Sequence, residues 1–150
     1  MKKILYIDLD GTLVDFASAC SKLDEKTLEK FKNNKEEIPG IFSLMPPLHG
    51  ALEAFDKLSE VYDTYILSSA PWENAIAWAE KLLWVKHCMG NKAYKRLILS
   101  HHKELNKGDY LIDDRIDKNG ADKFEGEVIL FGSVKFPDWK NIVAYLVKEG

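Results

Sequence analysis

Apolar residues along this chain gather into short unbroken runs instead of alternating strictly with polar ones. Five runs stand out: KILYID (3–8), TYILSS (64–69), RLILS (96–100), DYLIDD (109–114) and EVILFG (127–132). A strand covered on both faces needs apolar side chains on both, so these read as interior strands of a buried sheet. Between the runs the apolar positions change to helical spacing. In HGALEAFDKLSE, residues Ala51, Leu52, Phe55 and Leu58 share one stripe. PWENAIAWAEKLLWVKHCMG opens with Pro71 as a first-turn residue and closes near Gly90, and PDWKNIVAYLVKEG repeats the design. Strands alternating with helices predict a parallel sheet in a three-layer, Rossmann-like α/β domain.

One interval breaks this rhythm. From Asp15 to Leu48 there is no strand pattern, only the helix-like SACSKLDEKTLEKFKNN and the irregular IPGIFSLMPP. Such a stretch is longer than an ordinary connection. It follows the first strand and so lies over that strand's C-terminal end, where open α/β sheets bind ligands. Residues 16–48 are therefore expected to form a small helical cap within a single domain spanning 1–150.

The ends of the strands carry the chemistry. Asp8 closes the first, Asp10 follows two residues later, and Gly11 and Thr12 supply a tight turn and a local hydroxyl. Desolvating two carboxylates is costly unless a cation or donors compensate them. The fourth strand ends in another acid pair, Asp113 and Asp114. Two acid-bearing strand ends at one edge of a parallel sheet suit a hard divalent cation, and magnesium takes a few carboxylates plus substrate oxygens. Ser68 and Ser69 end the second strand directly before the predicted helix, where hydroxyls and free N–H groups can cradle a phosphate. Lys103, after the third strand, could neutralise that phosphate, with Lys107 as the rival lysine. Taken alone, each pair can also be read as a turn or a helix cap.

Composition alters this picture little. The 150 residues are 46% hydrophobic and 30% charged, with a net charge of −3. Acids and bases are interspersed, so neither a nucleic-acid polymer nor an anionic membrane surface is an indicated partner. Cys20 and Cys88 form no Cys-x-x-Cys pair and imply neither zinc nor a disulfide framework. Asp8 interrupts the N-terminal apolar stretch and no later segment approaches a membrane span, so a cytoplasmic protein is expected.

Read together, DLDGT, LSSAPW, HHKE and LIDDR resemble the four motifs of the haloacid-dehalogenase (HAD) superfamily of phosphohydrolases, over nearly the whole chain. DLDGTLVDF, IPGIFSLMPPLHGA, SSAPW and YLIDDR are further similar to the type C 5′(3′)-deoxyribonucleotidases and their small bacterial relatives. The ten-residue interval from Lys103 to Asp113 fits that family and favours Lys103 over Lys107. The resemblance implies that Asp8 is a nucleophile forming an aspartyl-phosphate and Asp10 a general acid and base. It implies Mg2+ held by Asp8, the Asp10 backbone carbonyl and Asp113, with Asp114 acting directly or through water. Ser68, Ser69 and Lys103 would bind the phosphoryl group. Phe16, Ile41 and Phe42 match base-binding positions of the cap, and Trp72 would join them if the Pro71 turn points it inward. The implied partner is a deoxyribonucleoside monophosphate, and the resemblance leaves room for a homodimer.

A sugar phosphate or other small phosphorylated metabolite is the alternative substrate. A phospho-accepting receiver domain also uses strand-end acids and a lysine, but lacks an acid two residues past the nucleophile. Arg115 is expected to pair with a neighbouring acid. His101 and His102 are expected to face solvent, and Trp78, Trp84, Leu82, Trp139 and Phe136 to lie in the core.

Overall fold

A computed structural model describes all 150 residues. Its five strands are β1 (Ile4–Ile7), β2 (Asp63–Ser68), β3 (Leu97–Leu99), β4 (Tyr110–Asp113) and β5 (Glu127–Leu130). They form one fully parallel sheet in the order β3-β2-β1-β4-β5. The strand bearing the first acid motif is thus central, flanked by those bearing the serines and the second acid pair. Register places Ile7 opposite both Ile66 and Ile112, so these strand ends lie level with one another.

Side chains alternate across the sheet and divide its packing in two. Leu5, Ile7, Ile66, Ile112 and Ile129 face the larger core, shared with helices α3 (Ala51–Val61), α4 (Ala75–Cys88) and α5 (Trp139–Glu149). Tyr6, Leu67 and Leu111 face a smaller cluster closed by Ala121 and Phe124. All three long helices therefore lie on one side. The other side carries only short 3-10 segments, Lys103–Leu105 and Ala121–Lys123. The third layer is present but thin.

Helix boundaries reflect local capping. The expected helix near residues 18–34 is split into α1 (Phe16–Ser21) and α2 (Glu25–Lys30). Asp24 breaks it, because its carboxylate accepts the Thr27 N–H at 2.7 Å and starts a new helix there. Ile38, Ile41, Phe42 and Met45, later in the same segment, belong to the larger core. Trp84 on α4 fastens that segment by donating from Nε1 to the Met45 carbonyl at 2.8 Å.

Pro71 is not in the first turn of α4, contrary to expectation. Asn74 caps the helix, accepting the Ala77 N–H at 3.3 Å and donating to the Glu36 carbonyl at 3.1 Å. Residues 71–74 instead form a turn, closed by the Asn74 N–H donating to the Pro71 carbonyl at 3.3 Å and held by Trp78 Nε1 donating to the same carbonyl at 3.0 Å. The serines therefore do not abut a helix N-terminus. The predicted core of α4 also shifts: Trp84 is buried, Trp78 only half-buried, and Leu82 is 47% exposed. The stripe that turns inward is Ala77, Lys81, Trp84 and Val85.

Candidate active site

Strand β1 delivers the Asp8 carboxylate, and the chain then folds back over Leu9, whose carbonyl accepts the N–H groups of Thr12, Leu13 and Val14. Gly11 makes this possible with φ of +77°, a region that L-residues with a Cβ rarely occupy. It also has no room for a side chain, since an added Cβ would sit 2.2 Å from Asp114 Oδ2. Gly11→Ala is accordingly expected to displace Asp114 and the acid loop together. The phosphohydrolase activity that the sequence motifs lead us to expect should fall by about 100-fold, the order of cost of an ångström-scale misplacement; activity within threefold of wild type would show that the loop tolerates the intrusion.

Asp8, Asp113 and Asp114 converge, each offering a carboxylate oxygen within 4.8 Å of the others. Lys103 is buried among them and donates to Asp8 Oδ1 at 2.9 Å and Asp113 Oδ2 at 2.7 Å. Lys107 is 63% exposed and pairs with Glu125 at the surface. Burial and the Asp8 charge push Asp114 up to about 8 and Asp113 up to about 6. Burial alone would depress Lys103, but Asp8 and Asp113 outweigh it and hold its pKa above the usual value. One ammonium against three crowded acids leaves negative charge unbalanced. An all-oxygen set of this kind fits a hard divalent cation such as magnesium.

Asp10 points to a partner that the sequence reading missed. Lys81 is 1% exposed and donates to Asp10 Oδ2 at 2.6 Å, Ser68 Oγ at 3.0 Å and the Ser69 carbonyl. Its ammonium also lies 4.7 Å from the Phe42 ring centroid. The other Asp10 oxygen, Oδ1, is shielded from solvent and has no hydrogen-bond partner. Burial raises the Asp10 pKa, Lys81 opposes the rise, and the charge of Asp8 adds to it. A signal for Lys81 was available: a lysine stands on the inward stripe between Ala77 and Trp84, where burial demands an acid partner.

The two serines separate. Ser68 is 1% exposed, and its hydroxyl is spent accepting from Lys81 and donating to the Ser69 carbonyl at 3.0 Å. Ser69 lines the cleft. That cleft, about 490 Å³, is also lined by Asp8, Asp10, Gly11, Lys103, Asp113 and Asp114. Phe16 and Trp72 supply apolar surface there, with Trp72 78% exposed. Ile41 and Phe42, expected to face a base, are buried instead at 0% and 2% exposure. Apolar packing under the segment claims both, with Phe42 lying against Phe16 and beneath Lys81.

Around the rim, Arg115 pairs with Asp117 at 3.3 Å, as expected, and also lines the cleft. His102 is exposed, but His101 is not free in solvent. Its ring lies between Trp72 and Trp78, with Nε2 2.7 Å from the Ala70 carbonyl. Trp139 and Phe136 are core residues, and Trp139 also donates from Nε1 to the Thr12 carbonyl at 2.8 Å.

This sheet order, with acids, hydroxyls and a lysine at adjoining strand ends, defines a HAD-like hydrolase fold. Solved structures share it at low identity. A subfamily IA HAD-superfamily hydrolase from Geobacter sulfurreducens superposes with a TM-score of 0.60 at 12% identity, covering 97% of this chain and 96% of that one. A haloacid dehalogenase-like hydrolase from Xanthomonas campestris gives 0.58 at 10%, covering 98% and 95%. Residues 24–139 match the family described as 5′ nucleotidase, deoxy (pyrimidine), cytosolic type C protein (NT5C). A Vibrio phage KVP40 protein, whose 5′(3′)-deoxyribonucleotidase name is itself provisional, is 52% identical over 148 residues, covering 99% of this chain and 86% of its own. The human 5′(3′)-deoxyribonucleotidase, cytosolic type, is 34% identical over 109 residues, covering 71% of this chain and 48% of its own. The chain thus spans about half the length of that human relative. It belongs to the type C 5′-nucleotidase family, a family of phosphoric monoester hydrolases. No helix is long and apolar enough to cross a membrane.

Proposed function

We propose that the chain is a magnesium-dependent phosphomonoester hydrolase acting on deoxyribonucleoside monophosphates. The convergence of Asp8, Asp113, Asp114 and Lys103 on one point at the C-terminal edge of the sheet carries this reading. The names borne by the phage and human relatives supply the substrate class. A cytoplasmic setting accords with the human relative's name. Residues 16–48, which contribute Phe16 and Glu36 to the cleft wall, act as the substrate-facing cap.

In this reaction an Asp8 oxygen attacks phosphorus as the ester P–O bond breaks, giving an aspartyl-phosphate. Asp10, its pKa raised, gives its proton to the departing alkoxide. It then takes a proton from the water that attacks the aspartyl-phosphate, releasing orthophosphate and restoring Asp8. Lys103 balances charge on the phosphoryl oxygens, and Ser69 donates to them from the cleft wall. Magnesium would be held by Asp8, Asp113 and the Asp10 backbone carbonyl, with Asp114 direct or through water, and would supply charge neutralisation at the phosphoryl group. Such neutralisation is needed. Positioning contributes about 7–11 kcal/mol, while accelerations of phosphate-monoester hydrolysis reach ~10²¹. The nucleobase lies against Phe16 or Trp72, where stacking on an aromatic is worth about 1–3 kcal/mol.

A phosphate-release screen across deoxyribo- and ribonucleoside monophosphates and sugar phosphates tests the reading. Deoxyribonucleotides are expected to turn over fastest, with activity lost in EDTA and restored by magnesium. A flat profile, or release from sugar phosphates alone, would remove the nucleotide claim and keep the hydrolase. No release from any substrate with metal present would remove both.

A further inference from the structure

The loop after β4 contains a second element aimed at the cleft. Asn119 has φ of +55° and Gly120 +78°, and the Ala121 N–H donates to the Lys118 carbonyl at 3.2 Å. Two successive positive φ values closed by this bond make a type I′-like turn, which Asn-Gly favours. Elsewhere such turns join hairpin strands; here the 3-10 segment Ala121–Lys123 follows directly. The turn instead directs both polar groups of Asn119 onto neighbouring loops. Its carbonyl accepts the Lys103 N–H at 2.7 Å, and its Nδ2 donates to Ser69 Oγ at 3.1 Å. Gly120 is fixed against Glu104 so closely that a Cβ would overlap the carboxylate. Asn119 therefore ties together the loops following β2, β3 and β4.

We propose that Asn119 is a positioning residue that sets the polarity of Ser69. This rests on the phosphohydrolase reading above. A hydroxyl has one proton and two lone pairs. Once Ser69 Oγ accepts from Asn119, its proton is left for a group in the cleft, and an acceptor-rich phosphoryl group is what it suits. Ser68, its neighbour, has its proton committed to the Ser69 carbonyl. Of the two hydroxyls, Ser69 alone lines the cleft, and Asn119 presents it to the cleft as a donor.

Asn119→Gly separates the two functions of the residue. It keeps a backbone suited to positive φ, and with it the bond to the Lys103 N–H, but deletes the amide. Inorganic phosphate as a competitive inhibitor reads the cradle directly. Its Ki should weaken roughly 10- to 100-fold, the scale of one hydrogen bond to a charged group. Ser69→Ala should weaken it similarly, and the double variant should be no worse than the weaker single, because both remove one donor. Asn119→Asp should weaken it further, as the new carboxylate takes the Ser69 proton. Ki within twofold of wild type in Asn119→Gly, losses that multiply in the double variant, or phosphate affinity retained in Asn119→Asp would each overturn the proposal. So would a lowered melting temperature with unchanged Ki, which marks a purely structural turn. If wild type hydrolyses phosphomonoesters and Asn119 proves silent, only this inference falls. If wild type neither binds phosphate nor releases it, the hydrolase reading falls too.

Discussion

Asp8→Asn is expected to lower phosphate release on the order of 10⁴-fold or more, the scale seen when a nucleophile is removed from a concerted site. The substitution preserves shape and a hydrogen-bond acceptor for Lys103, so packing around β1 should survive. It also removes the charge that, after burial, does most to push up Asp113 and Asp114. The melting temperature should therefore hold or rise while turnover vanishes. That split separates loss of a reacting atom from loss of the fold. Phosphate release and thermal melting on the same sample decide the matter. Turnover within tenfold of wild type would mean that another group attacks phosphorus.

Lys81→Met should also cost activity heavily, although Lys81 sits on a helix and is only 1% exposed. Methionine fills much of the same volume but makes none of the bonds to Asp10, Ser68 and the Ser69 carbonyl. Asp10 would then be a half-buried carboxyl with neither oxygen partnered in the protein, since Oδ1 already lacks a partner. Loss of its anchor should reduce kcat by about 100-fold or more. The sign of the pH effect follows from the opposing contributions. Burial raises Asp10 and Lys81 lowers it, so removing Lys81 moves the Asp10 pKa higher still. Both limbs of the pH–rate profile that Asp10 governs, the alkaline one where it must hold a proton for the alkoxide and the acid one where it must be free to take a proton from water, should shift to higher pH. An unmoved acid limb with lowered kcat would assign Lys81 to packing alone.

The strands were legible because burial on both faces leaves uninterrupted apolar runs, and all five fall within two residues of their expected ends. The acid loop was legible for a related reason: Asp8 and Asp113 end such runs, where an uncompensated charge is costly. Lys81 was harder to read because a helix with apolar residues on every side hides which face turns inward. Leu82 and Leu83 are as apolar as Trp84 and Val85, yet they are exposed. The start of α4 was misplaced because proline at a first turn and asparagine at a cap are both good signals, and here the asparagine side chain captured the helix. Ile41 and Phe42 match a motif, but a motif records residue type and not which side of a loop faces the cleft. The Asn119–Gly120 pair carried a strong turn signal in plain sight; what it lacked was a hairpin to attach it to.

The bond from Trp139 to the Thr12 carbonyl makes the acid loop depend on an element remote from it in sequence. The acid loop follows β1, whereas the helix that clamps its turn comes after every other element described. Tyr62 adds a second tie to that helix, donating to the Leu146 carbonyl at 2.6 Å. A chain without α5 would keep every proposed reactive group yet leave the loop that aims them unclamped. Damage to α5 should therefore reach the acid loop from outside the cleft, through this one bond.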